Sequence, residues 1–250
     1  MSGTKLILPG DNQYKDPTEQ LYGELSVIHE FFNERLFDGA LPPCIFTIQR
    51  VRNVYGYFSA KRFFNRQIRE IADEIAVNPA YFAIRDVKET LSTLVHEQVH
   101  QWQIHCGTPG RRGYHNMEFA WKMEDVGLMP VSMDKGREGT KIGDKVDHTI
   151  IPGGLFDVEC NDLLGKGFIL SWIDRYPPLE ELKRIKDADK VSPDILDMLS
   201  TNQELEEETP ARQKTKPSYK CPTCRATVWG KPGLLVICGK CKEYMNEEEV

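Results

Sequence analysis

The segment TLVHEQVHQW, residues 93–102, contains the side chains of this chain best suited to do chemistry. His96 and His100 are four positions apart, so on an α-helix they lie on one face about one turn apart and can bind a single metal ion. Glu97 lies beside that face, where its carboxylate can contact a water on the metal without binding the metal itself. The segment therefore predicts a hydrolytic zinc centre in which Glu97 is the general base for a zinc-bound water.

A third ligand is needed to separate this interpretation from an amphipathic helix that merely carries two histidines. A catalytic zinc ion takes three protein ligands and keeps one open position. His115 follows His100 by 15 residues, after a glycine-rich segment that can turn the chain back. Cys106 is also close in sequence and is a second candidate. We favour His115, because it stands at the start of the next predicted helix.

The elements that must position these residues follow from hydrophobic periodicity and from breakers such as Asp38-Gly39 and Asn78-Pro79. An apolar fraction of 40 % is enough for a substantial core. Residues 131–158 are rich in glycine and charge, and predict loop or irregular structure. In chain order we predict a helix over 19–37, extended segments over 41–51 and 53–63, a strand at 75–77, the motif helix over 87–105 and a helix over 116–127.

Four motifs in the same order resemble the SprT-like metallopeptidase family. HEQVH, a glycine-rich loop and HNMEF are similar to that family's HExxH helix and third-ligand helix. Upstream, FFNERLFDGALPP, YGYFSAKRF and EIAVNP are similar to its first helix and two of its strands. The resemblance covers about residues 20–130. It implies an α+β, zincin-like metallopeptidase domain with a small antiparallel-strand unit.

The resemblance also assigns roles at the site. It makes His96, His100 and His115 the ligands of a catalytic zinc ion, and Glu97 the catalytic base. A glycine often follows the third ligand in the family, whereas this chain has Asn116. Stabilisation of the carbonyl oxygen needs a further donor, and Tyr57, Tyr114 and His105 are the candidates. The EIAVNP strand is expected to offer its edge to an extended peptide.

A second metal site is predicted near the C-terminus, where CPTC and CGKC supply Cys221, Cys224, Cys238 and Cys241. Two C-x2-C pairs at this separation are typical of a structural zinc ion. The alternative is a pair of redox dithiols, but no βαβ pattern surrounds either pair. The remaining cysteines, Cys44, Cys106 and Cys160, are interpreted as small buried residues.

Charge is distributed unevenly between this cysteine-rich region and the rest. Residues 211–242 are formally +8, although the whole chain is −6 and the remainder therefore −14. Basic side chains with Tyr219 and Trp229 nearby suit a polyanion, whereas the alternative is a solvated tail that docks on the acidic body. The eukaryotic Spartan proteases of the resembling family digest proteins crosslinked to DNA, which favours DNA, single-stranded in particular. The candidate DNA contacts are Lys214, Lys216, Lys220, Arg225, Trp229 and Lys231.

These inferences predict a chain of five parts. They are a flexible arm (1–18), the SprT-like domain (19–130), an insertion or extension (131–200), a linker (201–218) and the four-cysteine zinc ribbon (219–243). No apolar run is long enough for a membrane span or a signal peptide. We therefore expect a cytoplasmic protein, nucleoid-associated or nuclear if it binds DNA.

The predicted function is that of a zinc-dependent endopeptidase with one catalytic and one structural zinc ion. Its substrates are expected to be proteins bound or crosslinked to DNA. The alternative is a DNA-binding adaptor or regulator that retains the metallopeptidase fold without turnover. A third interpretation is a peptidase that has no DNA role, in which case removal of residues 211–250 leaves its activity unchanged.

Overall fold

The computed structural model describes residues 16–136, 139–178 and 216–248. The chain divides into two compact units, unit 1 (Met1–Leu199) and unit 2 (Ser200–Val250). Most of the predicted N-terminal arm and of the predicted linker, together with Lys214, lies outside the described residues. No helix within the described ranges is both long and apolar enough to cross a bilayer.

Helix α1 (Pro17–Leu36) opens unit 1 and buries one apolar side. It begins earlier than predicted because Asp16 caps it: the Asp16 carboxylate accepts hydrogen bonds from the backbone N–H groups of Thr18 and Glu19, at 2.7 and 3.2 Å. Asp38 and Gly39, both with positive φ, end the helix as the sequence predicts. The fully buried side chains of α1 are Leu25, Ile28 and Phe32.

A three-stranded sheet follows, formed by β1 (Cys44–Ile48), β2 (Gly56–Phe64) and β3 (Ile71–Val77) in the order β1-β3-β2. The expected antiparallel unit is the pair β2 and β3, and β1 extends it by running parallel to β3. Strand β3 is therefore central, and both of its edges are paired. The prediction that the EIAVNP strand offers its edge to a peptide is wrong. The two edge strands of the sheet are β1 and β2, and β2 is the one that lines the cavity described below.

Strand β2 is interrupted between Ser59 and Phe63, where its register against β3 shifts. Lys61 lies at this bulge with a φ of 54°. The carboxylate of Asp73 accepts a hydrogen bond from the Lys61 backbone N–H at 2.8 Å. The bulge is therefore fixed by a buried side chain of the central strand.

Of the next two helices, the first packs on this sheet and on α1, and the second packs on the first. Helix α2 (Val87–Cys106) carries the metal-site motif, and α3 (Met117–Asp125) follows after a loop. Leu91, Val95 and Val99 of α2 are completely buried in the core. Their spacing at i, i+4 and i+8 leaves His96, Glu97 and His100 on an adjacent side of the helix.

The prediction of irregular structure over 131–158 is correct for the described residues of 133–145 but wrong for 131–132, 146–150 and 155–158. Strands β4 (Leu128–Ser132) and β5 (Val146–Ile150) form an antiparallel pair, and α4 (Leu155–Gly165) follows. Strand β5 is only half-buried and reads VDHTI, so it lacks the apolar density that marks a strand in a sequence. Helix α4 completes the core: Cys160 is fully buried, as predicted, and the Phe156 ring lies 5.4 Å from that of Phe32.

Unit 2 is a small three-stranded sheet with an equally small core. Strands β6 (Ser218–Lys220), β7 (Thr227–Trp229) and β8 (Asn246–Glu248) lie in the order β7-β6-β8. Its hydrophobic core consists of Tyr219, Cys221, Cys238 and Met245. A core of this size is too small to stabilise a fold without a further cross-link or metal.

Candidate metal centre

Three histidines converge in unit 1. His96 and His100 project from α2, and His115 approaches from the loop before α3. One potential ligand atom from each lies within 4.8 Å of the others. The ring centroids are 5.1 Å apart for His96 and His100, 5.4 Å for His96 and His115, and 4.8 Å for His100 and His115. The structure thus brings together the three residues that the sequence predicts as ligands.

The loop between α2 and α3 is folded back by side-chain hydrogen bonds. Glu118 accepts hydrogen bonds from the Gln103 amide at 2.8 Å and from the Thr108 backbone N–H at 2.7 Å. Gln103 also donates to the Asn116 side chain at 2.7 Å, and Asn116 caps α3. The end of α2 is therefore tied to the start of α3, which places His115 over the other two histidines. Asn116, which replaces the family's frequent glycine, has a structural role here.

The hairpin β4–β5 supplies the partner of His115. A pair of backbone hydrogen bonds, of 2.8 and 3.1 Å, joins His115 to Gly143 in the loop of that hairpin. The Nδ1 atom of His115 lies 3.2 Å from the Gly143 carbonyl oxygen. Because Nδ1 carries the proton that makes this bond, Nε2 is the nitrogen left to bind a metal. Asp134 holds the loop in turn, since its carboxylate accepts the Asp144 backbone N–H at 2.8 Å.

Glu97 is buried between α2 and β2, with 6 % of its surface exposed. Burial raises the pKa of its carboxyl group to about 8, and a hydrogen bond with the backbone of Phe58 opposes this in part. Beside Glu97, Gly56 allows β2 to lie close to the backbone of β3. A Cβ atom at that position would lie 2.9 Å from the Ala76 carbonyl oxygen and 3.7 Å from Cγ of Glu97.

The histidines and Glu97 line one cavity of about 1120 Å³. Strand β2 forms one wall of this cavity. Tyr57 and Tyr114 both line the cavity, as candidates for stabilising the carbonyl oxygen require.

His105 does not line the cavity: its Nε2 atom lies 2.6 Å from the Asp73 carboxylate. It is therefore no longer a candidate. Cys106 is exposed, contrary to the prediction of a buried cysteine, and it lies outside the histidine cluster.

One further histidine, His148 on β5, is not predicted from the sequence. It lines the same cavity, and its ring centroid lies 5.2 Å from that of His96. Only 6 % of its side chain is exposed, and burial lowers its pKa to about 4. The signal that could have found it is the alternation in VDHTI, which places every second residue on one face of a strand.

The donor set fits zinc. Three imidazoles with an open cavity beside them are a typical catalytic zinc arrangement. A histidine can bind a metal only when its imidazole ring is neutral. Burial, together with the neighbouring His115, lowers the pKa of His100 to about 3. Burial likewise lowers the pKa of His96 and His115. The cluster is therefore deprotonated and ready to bind a cation at neutral pH.

A second donor set lies in unit 2. One sulfur atom from each of Cys221, Cys224, Cys238 and Cys241 lies within 4.8 Å of the others. Hydrogen bonds from the backbone of Cys241 and Lys240 lower the pKa of Cys238 to about 7. Four cysteine sulfur atoms would fill all four coordination positions of a zinc ion, which is typical of a structural site. Both cysteine pairs predicted from the sequence thus meet at one point.

The candidate DNA contacts of unit 2 are only partly free. Trp229 is 71 % exposed, and Lys216, Arg225 and Lys231 are exposed as well. Lys220, however, forms an ion pair of 3.3 Å with Glu248 on β8. Strand β8 thus places acidic side chains directly beside the basic segment. In the described part of unit 2, three acidic residues partly offset the charge of six basic ones.

A mixed α+β domain, with a histidine cluster on a central helix and a glutamate beside it, defines a zincin-like metallopeptidase domain. Comparison with known protein families agrees, because the model of the SprT-like family matches residues 25–140. The chain belongs to the SprT-like family, which consists in general of zinc metallopeptidase-like domains.

A relative in Salmonella typhimurium extends this comparison. It is described as an uncharacterized protein in the mucB 3′ region, and it is 49 % identical to this chain over 59 residues. The match covers 24 % of this chain and 80 % of that protein. No solved structure gives a significant match.

Proposed function

We propose that unit 1 is a zinc-dependent endopeptidase. The observation that carries this proposal is the shared cavity: three neutral imidazoles and a buried glutamate line a space large enough for a peptide. His96, His100 and His115 would hold the metal. A zinc ion bound there lowers the pKa of a coordinated water and polarises the substrate carbonyl group.

Glu97 is the proton carrier of the proposed reaction. Its carboxylate takes a proton from the attacking water and later donates it to the leaving amine. Burial suits this role because it raises the pKa of the carboxyl group towards neutrality, although a nearby cation shifts it back down. The group can therefore both accept and release a proton near pH 7.

Strand β2 is the proposed binding edge for the substrate. It is the edge strand of its sheet on the side that lines the cavity. An extended peptide can pair with this edge through main-chain hydrogen bonds, which holds the scissile bond beside the histidines. Tyr57 and Tyr114 supply hydroxyl donors in the same cavity for the carbonyl oxygen.

Replacement of Glu97 by glutamine tests the mechanism. Glu97→Gln keeps the size of the side chain and the zinc ligands, so we expect zinc content to stay the same. Cleavage of an unfolded protein such as casein should fall by about 10²- to 10⁴-fold, the usual contribution of a general base. The matched control is Glu89→Gln on the same helix, which should cleave normally. Normal cleavage by Glu97→Gln would refute the mechanism.

The finer proposal is that the substrates are DNA-bound or DNA-crosslinked proteins. Support comes from the exposed Trp229 ring and the neighbouring cations of unit 2, which suit base stacking and phosphate contacts. The test is cleavage of a DNA-binding protein with and without single-stranded DNA, by wild type and by Trp229→Ala. We expect DNA to increase the rate of cleavage by the wild type. The Trp229→Ala variant should lose this increase but keep the rate measured without DNA.

The same experiment distinguishes the alternatives. Equal cleavage with and without DNA would favour a peptidase without a DNA role, to which the acidic strand β8 gives some support. DNA binding without cleavage of any protein, by a chain that holds both zinc ions, would favour an adaptor that retains the fold.

A further inference from the structure

Two enclosed nitrogen atoms in the candidate metal centre form no hydrogen bond. The Asp147 carboxylate, 3.9 Å from the one on His148, lies beyond hydrogen-bond distance. The Nδ1 atoms of His96 and His148 are both buried, and neither forms a hydrogen bond. Their rings are neighbours, with centroids 5.2 Å apart and planes inclined by 32°. A buried polar atom without a partner is uncommon, so two of them side by side require an explanation.

The hydrogen bonds of Ser92 fix the tautomer of His148. The Ser92 hydroxyl oxygen lies 2.8 Å from the Glu89 carbonyl oxygen, which can only accept, so the hydroxyl proton points there. The same oxygen lies 2.9 Å from Nε2 of His148. Nε2 must therefore carry a proton and donate it to Ser92. On a neutral ring this leaves the Nδ1 atom of His148 as a bare acceptor.

His96 presents the complementary group once it binds a metal. His96 lines the cavity and its Nδ1 atom is enclosed away from it, so Nε2 is the atom that would bind a metal there. A neutral imidazole bound through Nε2 carries its proton on Nδ1. That proton needs an acceptor, as the proton of His115 finds in the Gly143 carbonyl.

We propose that His148 is a positioning residue for the metal ligand His96, accepting the Nδ1–H of His96 at its own Nδ1 atom. The two rings turn towards each other when the metal binds, because the present arrangement leaves both atoms unpaired. The other rings around His96 are the ligands His100 and His115 and the apolar Phe119, so His148 is the ring that offers an acceptor.

The proposal gives a role to a segment outside the family match. The matched region ends at residue 140, and His148 lies beyond it on β5. The hairpin β4–β5 thus acts on two ligands: its loop holds His115 through Gly143, and its second strand holds His96 through His148. The inference rests on the proposed zinc site but not on turnover.

Three variants of the full-length chain test the proposal. The side-chain oxygen of His148→Asn can replace Nδ1, because both atoms are bonded to Cγ. The amide of His148→Gln instead replaces Nε2 and keeps the contact with Ser92. His148→Ala removes both. Zinc affinity of the histidine site is measured by competition with a chromophoric chelator, and cobalt–thiolate absorption reports separately on the cysteine site.

We expect His148→Ala and His148→Gln to lower zinc affinity by about 10- to 100-fold, the usual effect of losing such a partner. His148→Asn should stay within about threefold of wild type. If Gln preserved affinity and Asn lost it, the ring would serve only to contact Ser92, and the proposal would be overturned. It would also be overturned if all variants bound zinc like wild type. The Asn and Gln pair decides the matter even if His148→Ala does not fold.

This result is separable from the proposed function. A wild-type chain that binds zinc tightly but cleaves nothing would refute the peptidase and leave the affinity comparison intact. Conversely, wild-type affinity in His148→Gln would overturn the positioning role while cleavage and its dependence on Glu97 remained.

Discussion

At the residue scale, Gly56 is the position where the smallest change should matter most. A methyl group there would lie 2.9 Å from the backbone oxygen of Ala76, so β2 must move away from β3. We expect Gly56→Ala to lower the free energy of unfolding by about 1–3 kcal/mol, as overpacking usually does. Cleavage should fall as well, because Cγ of Glu97 would lie 3.7 Å from the added methyl group and is carried along when β2 shifts. Urea unfolding and a peptidase assay measure the two effects.

Gly165 provides the control for this substitution. It is exposed at the end of α4, its φ is not positive, and a methyl group added there would have no neighbouring atom within 4 Å. Gly165→Ala should therefore be neutral or slightly stabilising. Equal stability of the two variants would show that the tight approach of β2 to β3 at Gly56 does not limit the fold.

The sequence predicts the ligands at this scale because metal chemistry restricts residue type and spacing so strongly. His96, His100 and Glu97 follow from helical geometry, and Cys221 and Cys224 from the geometry of a turn. His148 could not be predicted in the same way. It is brought to the site by strand pairing between β4 and β5, and such pairing leaves only a weak trace in a five-residue strand rich in polar positions.

At the element scale, the packing of α1 on α2 is expected to depend on pH. His29 on α1 is 6 % exposed, and its ring donates to the Gln101 side chain on α2 at 2.9 Å. Burial lowers the pKa of His29 below its usual 6.5, although the bond to Gln101 opposes this. The folded state therefore binds fewer protons than the unfolded state below about pH 6.5. Stability is complete above that pH and falls as the pH drops.

The contribution of His29 to the pH dependence of stability can be measured by comparing wild type with a variant that lacks this histidine. A single histidine contributes a slope of at most about 1.4 kcal/mol per pH unit. Urea unfolding of wild type and of His29→Gln between pH 5 and 8 should show a shallower slope for the variant. The other buried histidines titrate in both proteins, so the difference isolates His29. Parallel slopes would contradict the prediction.

The hairpin β4–β5 should also influence metal binding through its loop. Asp134→Ala removes the acceptor for the Asp144 backbone N–H and so loosens the segment that presents Gly143 to His115. We expect zinc affinity of the histidine site to fall severalfold, with the fold retained. The control is Asp125→Ala, which breaks an ion pair with Lys122 at the far end of α3 and should leave affinity unchanged. Chelator competition again provides the measurement.

The elements differ in how clearly the sequence predicts them. Helices α1 and α2 are long, repeat apolar residues at helical spacing and have clear capping residues, so both can be recognised as helices from the sequence. Strand β3 is longer than the sequence predicts, because its first half carries Asp73 and Glu74. Both acids are buried, and their partners are non-local: Asp73 pairs with His105, and Glu74 accepts a hydrogen bond from Thr47. No local pattern reveals such long-range partners.

At the scale of the whole molecule, the two units should respond differently to loss of metal. Unit 1 has a large apolar core that surrounds α1, whereas the described part of unit 2 buries only four residues in its core, two of them cysteines. We therefore expect Cys221→Ser to unfold unit 2 and to lower zinc content by one ion per chain. The urea transition of unit 1 should not move. Limited proteolysis would detect the change, and a retained protease-resistant unit 2 would contradict it.

The bulge in β2 has a consequence for which proteins the proposed peptidase can cut. Only Gly56 to Ser59 offer a regular edge before the register shifts, a length of about 13 Å for an extended chain. A target must therefore straighten about four residues at the point of cleavage. A stable helix or a tight turn cannot do so without first opening locally. The cutting rate would then report how easily a short stretch of the target unravels, so that damaged or partly unfolded proteins are removed first and intact neighbours are spared.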